Sequence, residues 1–549
     1  MQGSLAPFFA LLALPLVAAL LPQLNAIVLF KKRLSLAPAL VVSAQTAVWL
    51  AAGVAAILLL PANIEFTLGS WLPVSVSGAP LILSSHSDAL LVVLAVLLVQ
   101  LQQSARRGLR VIDALVIIAV TLLGFANNLP ALIIGVGLVD IAAAIDMGDD
   151  PDPAARTRQV VLCGFSILLL LVAVIIHLSA QNSLWFPLLQ LGGQSVSLIT
   201  FAVIIRFLAL VTTPAIGRAQ LHHVATFLLA ARLFELGTPE VRLMWVAYAL
   251  ILALTKLLVA WLAEPDGHVQ VLRQIATGAC ALAACSLAFG NPQRIVLAGI
   301  GWLLGVALLA AGLPPSSETQ PAPSARLIRL LSSIAGTLAL ISFPFTATFA
   351  GSAGLVSWLS AQSAFGTLLA AVWVLALTLM TACCLRFVFQ PSVPNSSADD
   401  TNPQTQAALP GALWPTLGLT LSGLVLLFAI GVVGTTANAV RPVLGLMMLS
   451  DWLLWLLALV LGGLLWWQEA RIIGRLDRPL FTRTGNTTIR SQLAGVIGLN
   501  GLGELVADSV LALGRPLSGV FSFLESDGAL IWGVIAVLIA LLVTRTTGP

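Results

Sequence analysis

LVDIAAAIDMG, Leu138 to Gly148, sets the carboxylate of Asp140 inside an apolar stretch, with Asp146 six residues further on. An ionisable group at bilayer depth costs at least about 2.5 kcal/mol, so it is kept there by a partner or by a role in moving charge. The rest of the chain is equally apolar. Of its 549 residues 59% are hydrophobic and only 9% charged, and the mean hydropathy is +1.04. No soluble globular domain has that composition. Apolar runs of about 20 residues, each long enough to cross a hydrocarbon core of ~30 Å, recur from Leu5 to Val543. About 15 or 16 spans are predicted, beginning near Leu5, Leu36, Leu90, Val111, Leu129, Val160, Val196, Leu221, Val241, Ile275, Ile295, Leu327, Leu368, Leu413, Leu446 and Leu530. The fold class is an all-α polytopic membrane bundle.

Charge supplies an orientation. With the N-terminus outside, most Lys and Arg fall on the cytoplasmic side, among them Lys31, Arg106, Arg156, Arg218, Arg326, Arg386, Arg471 and Arg490. Only Arg242, Arg294, Arg441 and Arg545 then lie outside. The net charge of +4 is therefore a topology signal, and nucleic acid is not an expected partner. The opening MQGSLAPFF has no basic n-region and no small-residue cleavage site, so the first span is expected to be retained. The five cysteines, Cys163, Cys280, Cys285, Cys383 and Cys384, all fall within spans without metal-ligand spacing and read as small core residues. No metal, cofactor, nucleotide loop, haem motif or hydrolase motif is expected, and no catalytic chemistry is predicted for this chain alone.

The chain divides into N-terminal spans over 1–110, a core over 111–390, a cytoplasmic linker over 391–412 and C-terminal spans over 413–467. An amphipathic lateral segment over 468–527 and a final anchor over 528–549 complete it. Asn63 to Asp88 carries short β-compatible runs broken by Gly69, Pro73, Gly78 and Pro80, which predicts an external hairpin. From Ile489 to about Leu513 apolar residues recur at helical spacing while Arg490, Glu504 and Asp508 lie elsewhere on the wheel. A helix lying along the cytoplasmic face is expected there, either a surface helix of this subunit alone or a strut reaching a neighbour.

The candidates for chemistry are the ionisable groups within apolar runs. Asp140, Asp146, Arg206, His222, His223 and Lys256 head the set, joined by His177, Arg232, Glu235, Asp266 and His268. Arg cannot deprotonate at physiological pH but can hold a neighbouring carboxylate charged, whereas His can carry a proton itself. Each has a bland alternative. Asp140 could lie near the interface or pair with an Arg merely to hold helices together, Arg232 and Glu235 at i, i+3 could be a structural pair, and Lys256 could snorkel.

Several segments in order resemble the antiporter-like membrane subunits of respiratory complex I and their relatives among Mrp-type sodium/proton antiporters and membrane hydrogenases. FTLGSWLP (66–73) with SHSDALLVVL (85–94) resembles the external hairpin leading into a "D-G-L-S" helix start. LVDIAAAIDMG resembles "W-E-x-x-x-x-x-S-Y-x-L-I-G", with Asp140 on its essential Glu. LHHVATFLLAARLFELG (221–237) is similar to "L-I-H-A-A-T-M", with His223 on its His. DGHVQVLRQIATGACALA (266–283) resembles "D-I-K-R-V-L-A-Y-S-T-I-S-Q-L-G", and LALISFPFTATFAGSAGLV (338–356) resembles "L-A-L-x-G-F-P-x-x-A-G-F-x-S-K-D". The match runs from about Phe66 to Phe389, and the amphipathic helix with a final span is similar to the family's distal subunit.

The resemblance implies two inverted five-helix repeats and a proton path through Asp140, Arg206 and His223. It also implies a non-redox subunit of a complex I-like NADH:quinone oxidoreductase or related energy-converting assembly. Neighbouring membrane subunits and the lipid bilayer would be its partners, in a prokaryotic plasma membrane. The departures are specific. The lysine before the His motif has only Arg206 near it. The lysine of "H-A-F-F-K-A-L-L-F-L" falls on Gly305 in GWLLGVALLAAG (301–312), and that of "F-x-S-K-D" falls on Ser352. Neither Gly305 nor Ser352 carries protonic charge, so the expected path is incomplete and the expected role structural or coupling. The rival readings are an independent cation/proton or bicarbonate-linked transporter subunit and a pure scaffold.

Overall fold

Proline sets the start of five helices, where its fixed φ suits the first turn and its missing N–H is not needed. They are α2 (Pro38–Leu59), α6 (Pro153–Ser179), α9 (Pro239–Leu262), α11 (Pro292–Ala311) and α12 (Pro323–Leu340). The computed structural model describes residues 6–31, 38–59, 64–68, 81–85, 87–107, 111–146, 153–179, 193–212, 220–234, 239–263, 268–313, 323–389, 420–421, 423–425, 449–469, 471–472, 479–482, 485–488 and 509. The other helices among them are α1 (Ala6–Lys31), α3 (Ser87–Arg107), α4 (Val111–Phe125), α5 (Leu129–Asp146), α7 (Gly193–Thr212), α8 (Gln220–Phe234), α10 (His268–Ala284), α13 (Ala347–Ser352), α14 (Leu355–Gln362), α15 (Ala364–Phe389) and α16 (Leu449–Trp467).

A helix stands at each expected span from Leu5 to Leu327, at Leu368 and at Leu446. The chain is a polytopic α-helical membrane protein. Outward faces are apolar, as Leu50, Val54 and Leu58 on α2 and Ile134, Ile141 and Ile145 on α5 are all exposed, a pattern suited to hydrocarbon and not to water. Most of the expected Leu413 span lies outside the described residues, as do the 391–412 linker, the amphipathic stretch from Ile489 to Leu513 apart from Ser509, and the final anchor from Leu530.

The expected hairpin forms as β1 (Glu65–Leu68) against β2 (Leu81–Ser84), antiparallel, with Glu65 opposite Ser84 and Leu68 opposite Leu81. It is tied to the α4–α5 turn. Asn127 N donates to Ile82 O at 2.9 Å, and its Nδ2 donates to Glu65 Oε1 at 3.3 Å. A second antiparallel hairpin, β3 (Pro479–Thr482) with β4 (Gly485–Thr488), forms where only a basic, polar run was expected. The other unexpected feature is the break after α12. Residue 344 is proline and cannot give an N–H to the Leu340 carbonyl four residues back, so the helix stops and restarts as α13 and α14.

Glycine brings three helices to backbone contact. A methyl group on Gly336 of α12 would stand 2.5 Å from Leu309 N and 2.6 Å from Gly305 O on α11, distances that real Cβ atoms essentially never show. Two turns earlier on the same face of α11, a methyl on Gly351 of α13 would stand 2.6 Å from Ala298 N. Around this seam one continuous apolar core runs from Phe8 to Ala458, and the five cysteines are buried, free thiols.

Candidate functional site

Asp140 on α5 and Arg206 on α7 meet although 66 residues separate them. Arg206 Nη1 donates to Asp140 Oδ2 at 2.8 Å and Nη2 to Oδ1 at 2.6 Å, a two-pronged fit of guanidinium to carboxylate. The Arg206 side chain is 1% exposed and that of Asp140 14%. The pair therefore lies just under the surface of the bundle, beside the exposed Leu138 and Ile141. Helix α6 forms the third wall. Ser166 Oγ donates to Ala202 O at 2.9 Å, and Cys163 packs with Leu162, Ile205 and Ala209. Arg206 Nε has no hydrogen-bond partner, so the carboxylate is the anchor that holds the guanidinium.

Helix α9 carries the structure away from this pair. Trp245 packs edge-on against Phe207 with ring centroids 5.2 Å apart, and Tyr248 Oη donates to Ile204 O at 3.4 Å. Tyr248 is the chain's single tyrosine, and sequence reasoning passed over it. Its aromatic-and-hydroxyl character within an apolar helix was the available signal. Lys256 follows two turns later on α9, about 12 Å along the axis, and it is buried. The snorkelling alternative does not hold, because its side chain is enclosed by the bundle.

Asp146 ends α5, and His222 and His223 open α8, but their side chains lie outside what is described, as does Glu235. Arg232 gives its Nη2 to Gly124 O at 2.8 Å, which fixes α8 to α4.

Arg386, expected on the cytoplasmic side, is buried at the end of α15. Its Nε lies 2.8 Å from Glu469 Oε1, its Nη1 donates to Trp261 O at 2.5 Å and its Nη2 to Ala263 O at 2.7 Å. An end-of-span arginine looks the same in sequence whether it faces water or caps a neighbouring helix.

No family model matches the chain, and no curated protein matches it. Solved structures do. A chain from the structure of the Mrp complex from Dietzia sp. DQ12-45-1b is similar at a TM-score of 0.69 and 15% identity, over 98% of this chain and 63% of that one. A chain of the membrane-bound sulfane sulfur reductase, an archaeal respiratory membrane complex, is similar at a TM-score of 0.60 and 14% identity, over 97% of this chain and 99% of that one. The chain thus spans just under two thirds of the Mrp chain's length. What the likeness shows is the fold, a polytopic helical membrane bundle. It is the fold of the Mrp and respiratory-complex chains, as the sequence resemblance implied.

Proposed function

We propose that this chain is a divergent antiporter-like membrane subunit of a complex I-like energy-converting assembly in a prokaryotic plasma membrane, with a structural or coupling role and an interrupted ion path. The glycine seam carries the reading. At Gly305, where the resemblance assigns a lysine, an added methyl would lie 2.8 Å from Leu340 Cδ2 and 3.0 Å from Ala339 Cβ. The position is closed by packing as well as lacking a charge.

The Asp140–Arg206 fork supports the same conclusion. Arg206 stays charged at any physiological pH, so a proton arriving on Asp140 would strand a guanidinium at membrane depth. Removing one partner of a buried pair costs about 3–5 kcal/mol. The pair is a brace between α5 and α7 that opens only if the two helices separate. Neighbouring membrane subunits and lipid would cover the apolar outer faces.

Purification of the native assembly tests this. A large membrane complex containing iron–sulfur subunits supports the reading. A one- or two-subunit unit that moves cations or bicarbonate would replace it with an independent transporter.

A further inference from the structure

At the break between α12 and α13 the backbone is held in an unfavourable shape. Ser342 and Phe345 sit at φ 54 and 68, the left-handed region, where a non-glycine residue costs of order 1–3 kcal/mol and persists only when its surroundings dictate it. Trp455 Nε1 donates to Ile341 O at 3.3 Å and Thr346 Oγ1 to Phe343 O at 2.7 Å, which fixes the turn. Beside the turn lies a cavity of about 10 Å³. Trp302, Trp373 and Leu340 are among the residues that line it, and Ser342, Thr348 and Ser352 are its polar residues.

Two polar groups at this place want partners. Thr348 Oγ1 is buried with no hydrogen bond, and the Leu340 carbonyl is deprived of its helical donor by Pro344. Ser352 Oγ spends its hydrogen on Thr348 O at 3.0 Å but keeps its lone pairs. Cavities that stay dry in proteins are apolar, whereas one with room for a single sphere of water and two or more polar partners holds a water.

We propose that the helix break is a hydration site, in which one water molecule accepts from the Thr348 hydroxyl and donates to the Leu340 carbonyl. Magnitudes favour it. Leaving each buried polar group unmade costs about 1–3 kcal/mol, against at most about 2 kcal/mol to immobilise a water. A bare cation is the weaker occupant, because every polar group here is neutral and the space admits no second water to complete a coordination shell. Where the resemblance assigns a lysine, at Ser352, the chain would thus hold a neutral, hydrated break. The inference needs only the break itself and stands apart from the functional reading above.

Hydroxyl-radical footprinting of the purified full-length protein in an X-ray beam tests it, because a trapped water generates the radical in place. Trp302 and Trp373 should be oxidised several-fold faster than the equally buried Trp245. Thr348→Val, nearly the same in volume, should bring both down to the Trp245 rate, and Thr348→Ser should restore them. An unchanged Trp245 rate and elution volume report that the variants are folded. Trp302 and Trp373 rates no higher than Trp245 in the parent protein, or high rates that survive Thr348→Val, would overturn the hydration site.

Discussion

Arg386 Nε lies 2.8 Å from Glu469 Oε1, and the same guanidinium takes the carbonyls of Trp261 and Ala263 at the end of α9. One arginine therefore joins three helix ends, α9, α15 and α16. The unsatisfied carbonyls of a helix C-terminus favour a cation, and the carboxylate neutralises it. Glu469→Gln should destabilise the detergent-solubilised protein by about 3–5 kcal/mol, since it leaves a buried charge uncompensated, while Arg386→Met with Glu469→Leu should cost less. Thermal unfolding of the single and double variants decides it; a double variant worse than either single one would count against the clamp.

Asp140→Asn is expected to lower ion translocation, or the coupling of the assembled complex, more than Asp146→Asn does. His223→Ala should act in the same direction as Asp140→Asn. Arg206→Lys keeps the charge but cannot make the two-pronged contact, so an intermediate loss is expected. The measurement is proton uptake in proteoliposomes or substrate-driven turnover of the complex, and equal effects of the two Asp variants would remove Asp140 from the coupling role.

Gly336→Ala pushes a methyl group onto the α11 backbone. Overpacking of this kind costs about 1–3 kcal/mol, and here the obstacles are Leu309 N and Gly305 O, which cannot swing aside. Gly53, with nothing within 4 Å of an added methyl, is the control, because Gly53→Ala should leave the melting temperature unchanged or raise it. Equal melting temperatures for Gly336→Ala and the parent would show that the seam gives way.

The uneven distribution of Lys and Arg predicts the N-terminus outside and the 391–412 linker in the cytoplasm. With Asp400→Cys as the reporter, a membrane-impermeant thiol reagent should label only inverted vesicles. Labelling of intact cells would reverse the orientation.

The helices were legible because each is an apolar run closed by proline or polar residues, and the first hairpin because Gly69, Pro73, Gly78 and Pro80 punctuate β-compatible runs. The break was not, since LALISFPF continues an apolar run and only Pro344 marks it. Asp140 and Arg206 each stood out as charges among hydrocarbons, but their contact is a tertiary fact between residues 66 apart. The partners of Arg386 were not legible, because a periodic pattern says where a helix ends and not what lies beside that end. The seam was silent: in a chain with 44 glycines, no single one announces which backbone it touches.

That seam bears on what position 305 can hold. A lysine at 305 would need both new room beside Leu340 and Ala339 and a retreat of α12 from the α11 backbone, where Gly336 already rests. A single substitution there would strain the bundle, and relieving it would take further substitutions on α11 and α12. With two helices closed on that position, a longer side chain at 305 calls for changes on both of them together.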